Sequence, residues 1–93
     1  MSLVVPGSGG TITVSESVLS QIVRRAAETV DGAKVKRRRT VDVEARTVRL
    51  ALTVRTGVPL QPLAERVQEA VAEALRSMCA LDVRVDVAIE ELE

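Results

Sequence analysis

Apolar and polar residues alternate along two stretches of the chain, from Val48 to Val54 and from Val83 to Ile89. A period of two places the apolar side chains on one face of a β-strand. Between these stretches the apolar residues recur every three or four positions, as in an amphipathic helix, at Leu63, Val67, Ala70, Val71, Ala74, Leu75 and Met78. This order predicts a parallel strand pair joined by a right-handed helical crossover.

A second amphipathic helix is predicted closer to the start of the chain. Ser15 is a favourable N-cap residue, and Glu16 places a negative charge in the first turn, where the helix dipole favours it. Gly32 follows the last predicted turn, a common position for glycine. Because the helix contains neither lysine nor an aromatic residue, it is expected to pack on a protein core, not on a membrane, through Val18, Leu19, Ile22, Val23, Ala26, Ala27 and Val30.

A third alternation, from Val41 to Ala45, predicts a strand that pairs antiparallel with Val48–Val54 through a turn at 45–47. The predicted fold class is α+β, a two-layer sandwich in the order helix-strand-strand-helix-strand. Its mixed three-stranded sheet carries both helices on one face. The opposite face is expected to expose Thr40, Asp42, Glu44, Arg49, Ala51, Thr53, Arg55, Arg84, Asp86 and Ala88.

The sequence divides into a flexible tail at residues 1–10 and a single α+β domain at residues 11–93. The tail ends in the glycine-rich run Pro6–Gly10, which favours flexibility. A phosphate-binding glycine loop would require a strand before it and a helix N-terminus directly after it. The glycine-rich run is followed instead by Thr11–Val14, which is long enough to form a short extra strand.

The composition indicates a packed aliphatic core, since 46% of the 93 residues are hydrophobic and none is Phe, Trp or Tyr. The formal net charge is zero, which gives no overall attraction to nucleic acid or to an anionic membrane. The single cysteine excludes an internal disulfide and is typical of a reducing compartment. No apolar run approaches the roughly 18 residues that span a bilayer. We therefore expect a cytoplasmic protein.

The chain offers few groups for catalysis. It contains no histidine, so neither a Ser-His nor a Cys-His pair exists, and one cysteine alone argues against a zinc site. The carboxylates occur singly at alternating exposed positions, with no sign of a desolvated acid–base pair. The sequence predicts a non-enzymatic protein without catalytic, cofactor-binding or metal-ligating residues.

Basic residues are the remaining candidates for a binding role. Lys34, Lys36 and Arg37–Arg39 form one basic cluster, which is either a solvated loop or a phosphate-binding surface. Arg49 and Arg55 are expected to pair across strands with Asp42, Glu44 or Asp86, or to meet a partner of mixed charge. The predicted partner-binding residues are Lys34, Lys36, Arg37, Arg38, Arg39, Arg49, Arg55 and Arg84.

Several local strings resemble the bacterial alkaline-shock protein family. They are Ile12–Leu19, the glycine at Gly32, the alternating strand from Val48 to Gly57, the run Leu63–Val71, and the segment from Met78 to Val87. The resemblance implies a non-enzymatic cytoplasmic protein of the general and cell-envelope stress response. It also implies self-association and tethering to the membrane through a separate membrane-anchored partner.

A nucleic-acid-binding module is the alternative hypothesis. The predicted element order is close to one form of the KH fold, and the basic cluster supplies positive charge. KH domains hold the nucleic-acid backbone with a Gly-x-x-Gly loop between two helices, and this chain has no such loop there.

Overall fold

The computed structural model describes residues 3–93, apart from the side chains of residues 37–39. It contains seven elements in that range, namely β1 (Leu3–Gly7), β2 (Gly10–Val14), α1 (Glu16–Glu28), β3 (Ala33–Asp42), β4 (Thr47–Val54), α2 (Leu60–Cys79) and β5 (Arg84–Leu92). From α1 onward the order is helix-strand-strand-helix-strand. The predicted α+β class is confirmed.

The main sheet has the strand order β3-β4-β5, with β4 antiparallel to β3 and parallel to β5. Val48 lies opposite Val41 on one side and Val85 on the other, so apolar positions line up across all three strands. The connection from β4 to β5 runs through α2, as the change of hydrophobic period predicts. β3 and β5 each contain a register irregularity, and both form an outer edge of the sheet.

The core lies between one face of this sheet and the two helices. α1 contributes Leu19, Val23 and Ala27, and all three are fully buried. The buried positions of α2 follow the predicted spacing up to Leu75, but the last one is Cys79 in place of Met78. The step from Leu75 to Cys79 keeps the spacing of four, and it leaves Met78 on the exposed side of the helix.

Different contacts fix the start of α1 and the end of α2. Ser15 caps α1 as predicted, because its hydroxyl oxygen accepts a hydrogen bond from the backbone N–H of Val18 at 3.3 Å. At the end of α2, Ala80 adopts a left-handed conformation with φ of 52°. The N–H of Ala80 donates to the carbonyl of Arg76, which is the αL motif of a helix end, and the N–H of Leu81 donates to the carbonyl of Leu75.

The N-terminal segment differs from its predicted role as a flexible tail. Leu3–Gly7 forms a strand that pairs antiparallel with Gly10–Val14, and the two strands are joined by a two-residue turn. We call β1 and β2 together the N-terminal hairpin. Only Leu3 and Val14, at its base, pack against the core. The molecule is correspondingly elongated, with extents of 49 × 20 × 19 Å.

The turn between β3 and β4 lies two residues earlier than predicted. Residues 43–46 form the turn, and Arg46 adopts a positive φ of 52° there. The carboxylate of Asp42 accepts a hydrogen bond from the N–H of Ala45 at 3.0 Å, so a side chain replaces the Asn-Gly turn that the sequence lacks. β3 starts at Ala33, and the basic cluster therefore belongs to a strand.

Candidate interaction surfaces

The face of the main sheet opposite the helices is the surface that the sequence predicted. Its central strand presents Arg49, Ala51 and Thr53, and the neighbouring strands present Thr40 and Asp86 opposite Arg49. Ala51 is only 6% exposed although it lies outside the core cluster. Neighbouring side chains on the sheet face must therefore cover it.

Lys36 connects the two outer strands across this face. Its Nζ donates a hydrogen bond to Glu91 Oε1 at 2.9 Å and lies 3.6 Å from Glu90 Oε1. Because β4 lies between β3 and β5, the lysine side chain reaches Glu91 over the small residues of β4. The hydrogen bond to Glu91 raises the pKa of Lys36, and the same bond lowers the pKa of Glu91.

The acidic C-terminal segment therefore neutralises part of the basic cluster. Lys34 lies 3.6 Å from Glu93, in addition to the contacts of Lys36. Glu90, Glu91 and Glu93 are three acidic residues in a local pattern typical of a solubilising tail. The structure instead places Glu90 and Glu91 in β5, facing β3 across the sheet. Arg37, Arg38 and Arg39, also predicted as binding residues, have side chains outside the described residues.

The other three predicted arginines are dispersed. Arg55 pairs with Asp31 at 3.1 Å, at the end of the sheet, and not with a cross-strand carboxylate. Arg84 pairs with Asp86 two residues away on its own strand, also at 3.1 Å. Within the described part of the chain, Arg49 makes no ion pair. The expected cross-strand pairs are therefore absent there, and of these three only Arg49 keeps an unpaired charge on the sheet face.

The potential metal ligands and the single cysteine of the described residues are the next groups to consider. Groups of three or more potential metal ligands are absent from the described residues. Cys79 is buried, and burial raises the pKa of its thiol, which disfavours the nucleophilic thiolate. The cysteine is therefore a residue of the core.

An apolar groove lies on the outer side of the helix layer, between α1 and α2. It has a volume of about 410 Å³ and is lined by Val18, Ile22, Ala26, Ala74 and Met78, together with the polar residues Gln21, Arg25 and Thr29. Val18 is 44% exposed and Met78 is 67% exposed. The sequence assigned these two residues to the core stripes, so periodicity alone did not identify this surface.

The N-terminal hairpin forms the third exposed surface. Leu3, Val5, Ile12 and Val14 lie on one of its faces because the pairs Leu3–Val14 and Val5–Ile12 are directly opposite each other. The base of this face rests on the core, whereas Ile12 is 56% exposed. The signal for it was present in the sequence: the apolar run at 3–5, the turn residues at 6–10 and the β-branched run at 11–14 are typical of a hairpin.

Neither helix in the described part of the chain combines the length and the apolar character needed to cross a bilayer.

Comparison with known proteins identifies the fold. No protein-family model and no curated protein sequence matches the chain. Among solved structures, a MamM C-terminal domain with one histidine replaced by alanine has a TM-score of 0.60 and 20% identity, covering 85% of this chain and 100% of that one. A second MamM C-terminal domain, in which an aspartate and a histidine are each replaced by the other residue type, has a TM-score of 0.54 and 26% identity over the same shares.

These findings correct the resemblance to the alkaline-shock family. The structural neighbours are MamM C-terminal domains, and neither a family model nor a curated sequence supports the alkaline-shock assignment. The quoted strings describe helix and strand patterns that unrelated domains of the same element order share. The stress-response role and the membrane-anchored partner rested on that resemblance and lose their basis.

Proposed function

We propose that this chain is a non-enzymatic binding domain that acts by self-association, with a second copy of itself as partner. The observation that carries the proposal is the distribution of exposed apolar surface. It is concentrated at the helix groove and at the N-terminal hairpin, outside the core. Exposed apolar patches of this kind are typical of interaction sites.

The charge distribution also supports a protein partner. The chain has zero formal net charge, and several of its charged groups are paired with each other on the sheet face and along α2. An electrically neutral surface does not repel its own copy, so self-association has no long-range electrostatic cost.

Small size is a third supporting argument. A domain of 93 residues buries only about 60–65% of the surface that its unfolded chain exposes, and association adds buried area. The likeness to the MamM C-terminal domain, at 20% identity, supports the fold of this chain and carries no information on its partner.

The nucleic-acid hypothesis receives no comparable support. Lys34 and Lys36 are engaged by glutamates of β5 and the C-terminus, which reduces the positive potential that would attract phosphates. The two helices are separated along the chain by β3 and β4, so they do not form the helix-loop-helix element that would carry a Gly-x-x-Gly clamp.

The test of self-association is the mass of the protein in solution. Sedimentation equilibrium between about 1 μM and 1 mM covers the affinities of weak and moderate dimers. We expect the average mass to rise with concentration from the 10.0 kDa of one chain towards twice that value. A mass that stays at 10.0 kDa over the whole range would reject the proposal.

Arg49→Glu determines whether the sheet face takes part. Arg49 is the arginine that the structure leaves on that face without an ion pair in the described residues, so reversing its charge should weaken any association through that face. Arg24→Glu is the matched control, because Arg24 is an exposed residue of α1 away from the sheet face. If Arg49→Glu alone lowers the affinity, the sheet face is the interface; equal affinities place the interface elsewhere.

A further inference from the structure

The outer edges of the two sheets differ in how they are protected against pairing with another strand. β3 carries five Lys or Arg residues and a register irregularity, and β5 combines charged residues with an irregularity of its own. β1 contains Pro6. Charged residues, bulges and proline are the usual protections of an edge strand. β2, with the sequence Gly-Thr-Ile-Thr-Val, has none of them.

The pairing of the N-terminal hairpin shows which backbone groups remain free. Gly7 and Gly10 pair across the two-residue turn and therefore form a hydrogen-bonded pair, and such pairs alternate along an antiparallel ladder. Pro6 and Thr11 then form a non-bonded pair, as they must, because proline has no N–H. It follows that the N–H and C=O groups of Thr11 and Thr13 point away from β1.

The outer edge of β1 offers fewer groups for pairing. Its outward-pointing residues are Val4 and Pro6, and Pro6 supplies only a carbonyl. Gly10, Thr11, Ile12 and Thr13 are all exposed, so nothing else in the described chain covers the edge of β2.

We propose that β2 pairs antiparallel with β2 of a second copy, about a two-fold axis beside Ile12, to form a four-stranded sheet across the dimer. This inference rests on the proposed self-association and assigns its interface. Thr11 of each copy lies opposite Thr13 of the other, and the two pairs exchange four backbone hydrogen bonds. No other register about a two-fold axis pairs both threonines of each copy.

Side chains in this register are complementary as well. The two copies of Ile12 face each other at the two-fold axis as a non-hydrogen-bonded pair, in which side chains are closest. Val5 lies beside Ile12 in each copy, so one apolar row crosses all four strands. Pairing thus covers Ile12, which is 56% exposed in the single chain.

The charge pattern favours a second copy over a different partner. Residues 1–15 contain no charged residue, whereas all 26 charges of the chain follow from Glu16 onward, 13 of each sign. A hairpin without charges offers no electrostatic recognition of nucleic acid or of a charged protein surface, and it does not repel an identical hairpin. The edges at β3 and β5 are charged and the edge at β1 contains Pro6, so β2 is also its own best match.

Proline substitution tests the edge that is used. Thr13→Pro removes an outward-pointing N–H of β2 and leaves the hydrogen bonds to β1 intact. We expect dimerisation to weaken by about tenfold or more. Val4→Pro is the matched control, because it removes the outward N–H of the opposite edge, and we expect it to leave the affinity within about threefold of the unchanged protein. Comparable losses in both variants would contradict the proposal.

Cysteine cross-linking tests the register in a background in which Cys79 is replaced by alanine. Ile12→Cys places two thiols at the two-fold axis, where the Cα atoms are about 4.5 Å apart, within the range for a disulfide. Val4→Cys is equally exposed, at 58% against 56%, but the β1 strands of the two copies are about 14 Å apart. Rapid formation of a disulfide-linked dimer by Ile12→Cys alone is expected.

The outcomes separate this inference from the proposed function. A protein that is monomeric at all concentrations would reject both. If the Thr13→Pro variant dimerises with unchanged affinity and cysteines at positions 12 and 4 cross-link equally, the β2 interface is rejected. Self-association is then retained. Loss of dimerisation in Arg49→Glu with none in Thr13→Pro would likewise move the interface to the sheet face.

Discussion

Ala80 shows how a single residue can hold a conformation that its side chain disfavours. Its φ of 52° lies in the left-handed region, where a Cβ atom is strained and glycine is not. The helix end is nevertheless well formed, because the hydrogen bonds from the N–H groups of Ala80 and Leu81 involve only backbone groups.

We expect Ala80→Gly to stabilise the protein by about 0.5–1 kcal/mol, since relief of strain exceeds the entropy that glycine adds to the unfolded chain. Urea denaturation measures this as a higher midpoint with an unchanged slope. Ala72→Gly, in the interior of α2, is the control with the opposite sign, and it should destabilise by about 1 kcal/mol. A lower midpoint for Ala80→Gly would show that the left-handed conformation carries no strain.

At the scale of elements, the hydrogen bond between Lys36 of β3 and Glu91 of β5 depends on the strand that separates them, β4. Lys36 and Glu91 are 55 positions apart in the chain, and neither belongs to the central strand. Their hydrogen bond forms because Ala51 and Thr53 on β4 are small enough for the lysine side chain to pass over. The sequence predicted either a solvated loop or a phosphate-binding surface for the basic cluster, and local patterns gave no sign that this cluster meets the acidic residues of β5.

This contact predicts a pH dependence. The hydrogen bond from Lys36 lowers the pKa of Glu91, so its contribution to stability is present above the unfolded-state pKa and is lost as the pH falls through the lower folded-state value. We expect Glu91→Gln to lower Tm by about 1–3 °C at pH 7, and the difference from the unchanged protein to shrink as the pH approaches about 3. Scanning calorimetry at both pH values measures it.

Glu44→Gln is a suitable control for that experiment, because Glu44 is exposed in the turn between β3 and β4 and has no resolved ion pair within the described residues. Its Tm should follow that of the unchanged protein at both pH values. A difference for Glu91→Gln that stays constant with pH would mean that charge at this position does not act through Lys36.

At the scale of the whole molecule, the charged residues are separated from the interface proposed at β2. The charges of the chain lie on the body, which begins at Glu16, and the uncharged hairpin extends from it. Association through β2 should therefore respond to apolar burial and backbone pairing, with little contribution from ion pairs.

We accordingly expect the dimer dissociation constant to change by less than about threefold between 50 and 500 mM NaCl, because no screened charge lies in the interface. Sedimentation equilibrium across this salt series measures it. A steep loss of association with salt would instead indicate a charged interface such as the sheet face. Binding to a nucleic acid, measured in the same series, would fall by orders of magnitude.

The sequence by itself determined both helices, β4 and β5 and most of the positions that they bury, but not the extent of β3, which begins at Ala33. The periods of two and 3.6 residues, the N-cap at Ser15 and the turn residues are local signals, so the helices, β4 and the class of the sandwich could be read from them. The turn was predicted at 45–47 but lies at 43–46. The hydrogen bond that stabilises it, from the N–H of Ala45 to the carboxylate of Asp42, has no dipeptide signature such as Asn-Gly in the sequence.

Only the tertiary structure decided which exposed groups meet. The neutralisation of Lys36 by Glu91, the exposure of Met78 in the helix groove, and the free edge of β2 each depend on elements distant in the chain coming together. Local periodicity gives a side chain its face within one element. Which residue of another element lies next to that side chain depends on the strand order and on the position of the helices. Both are set by how all the elements pack around the core.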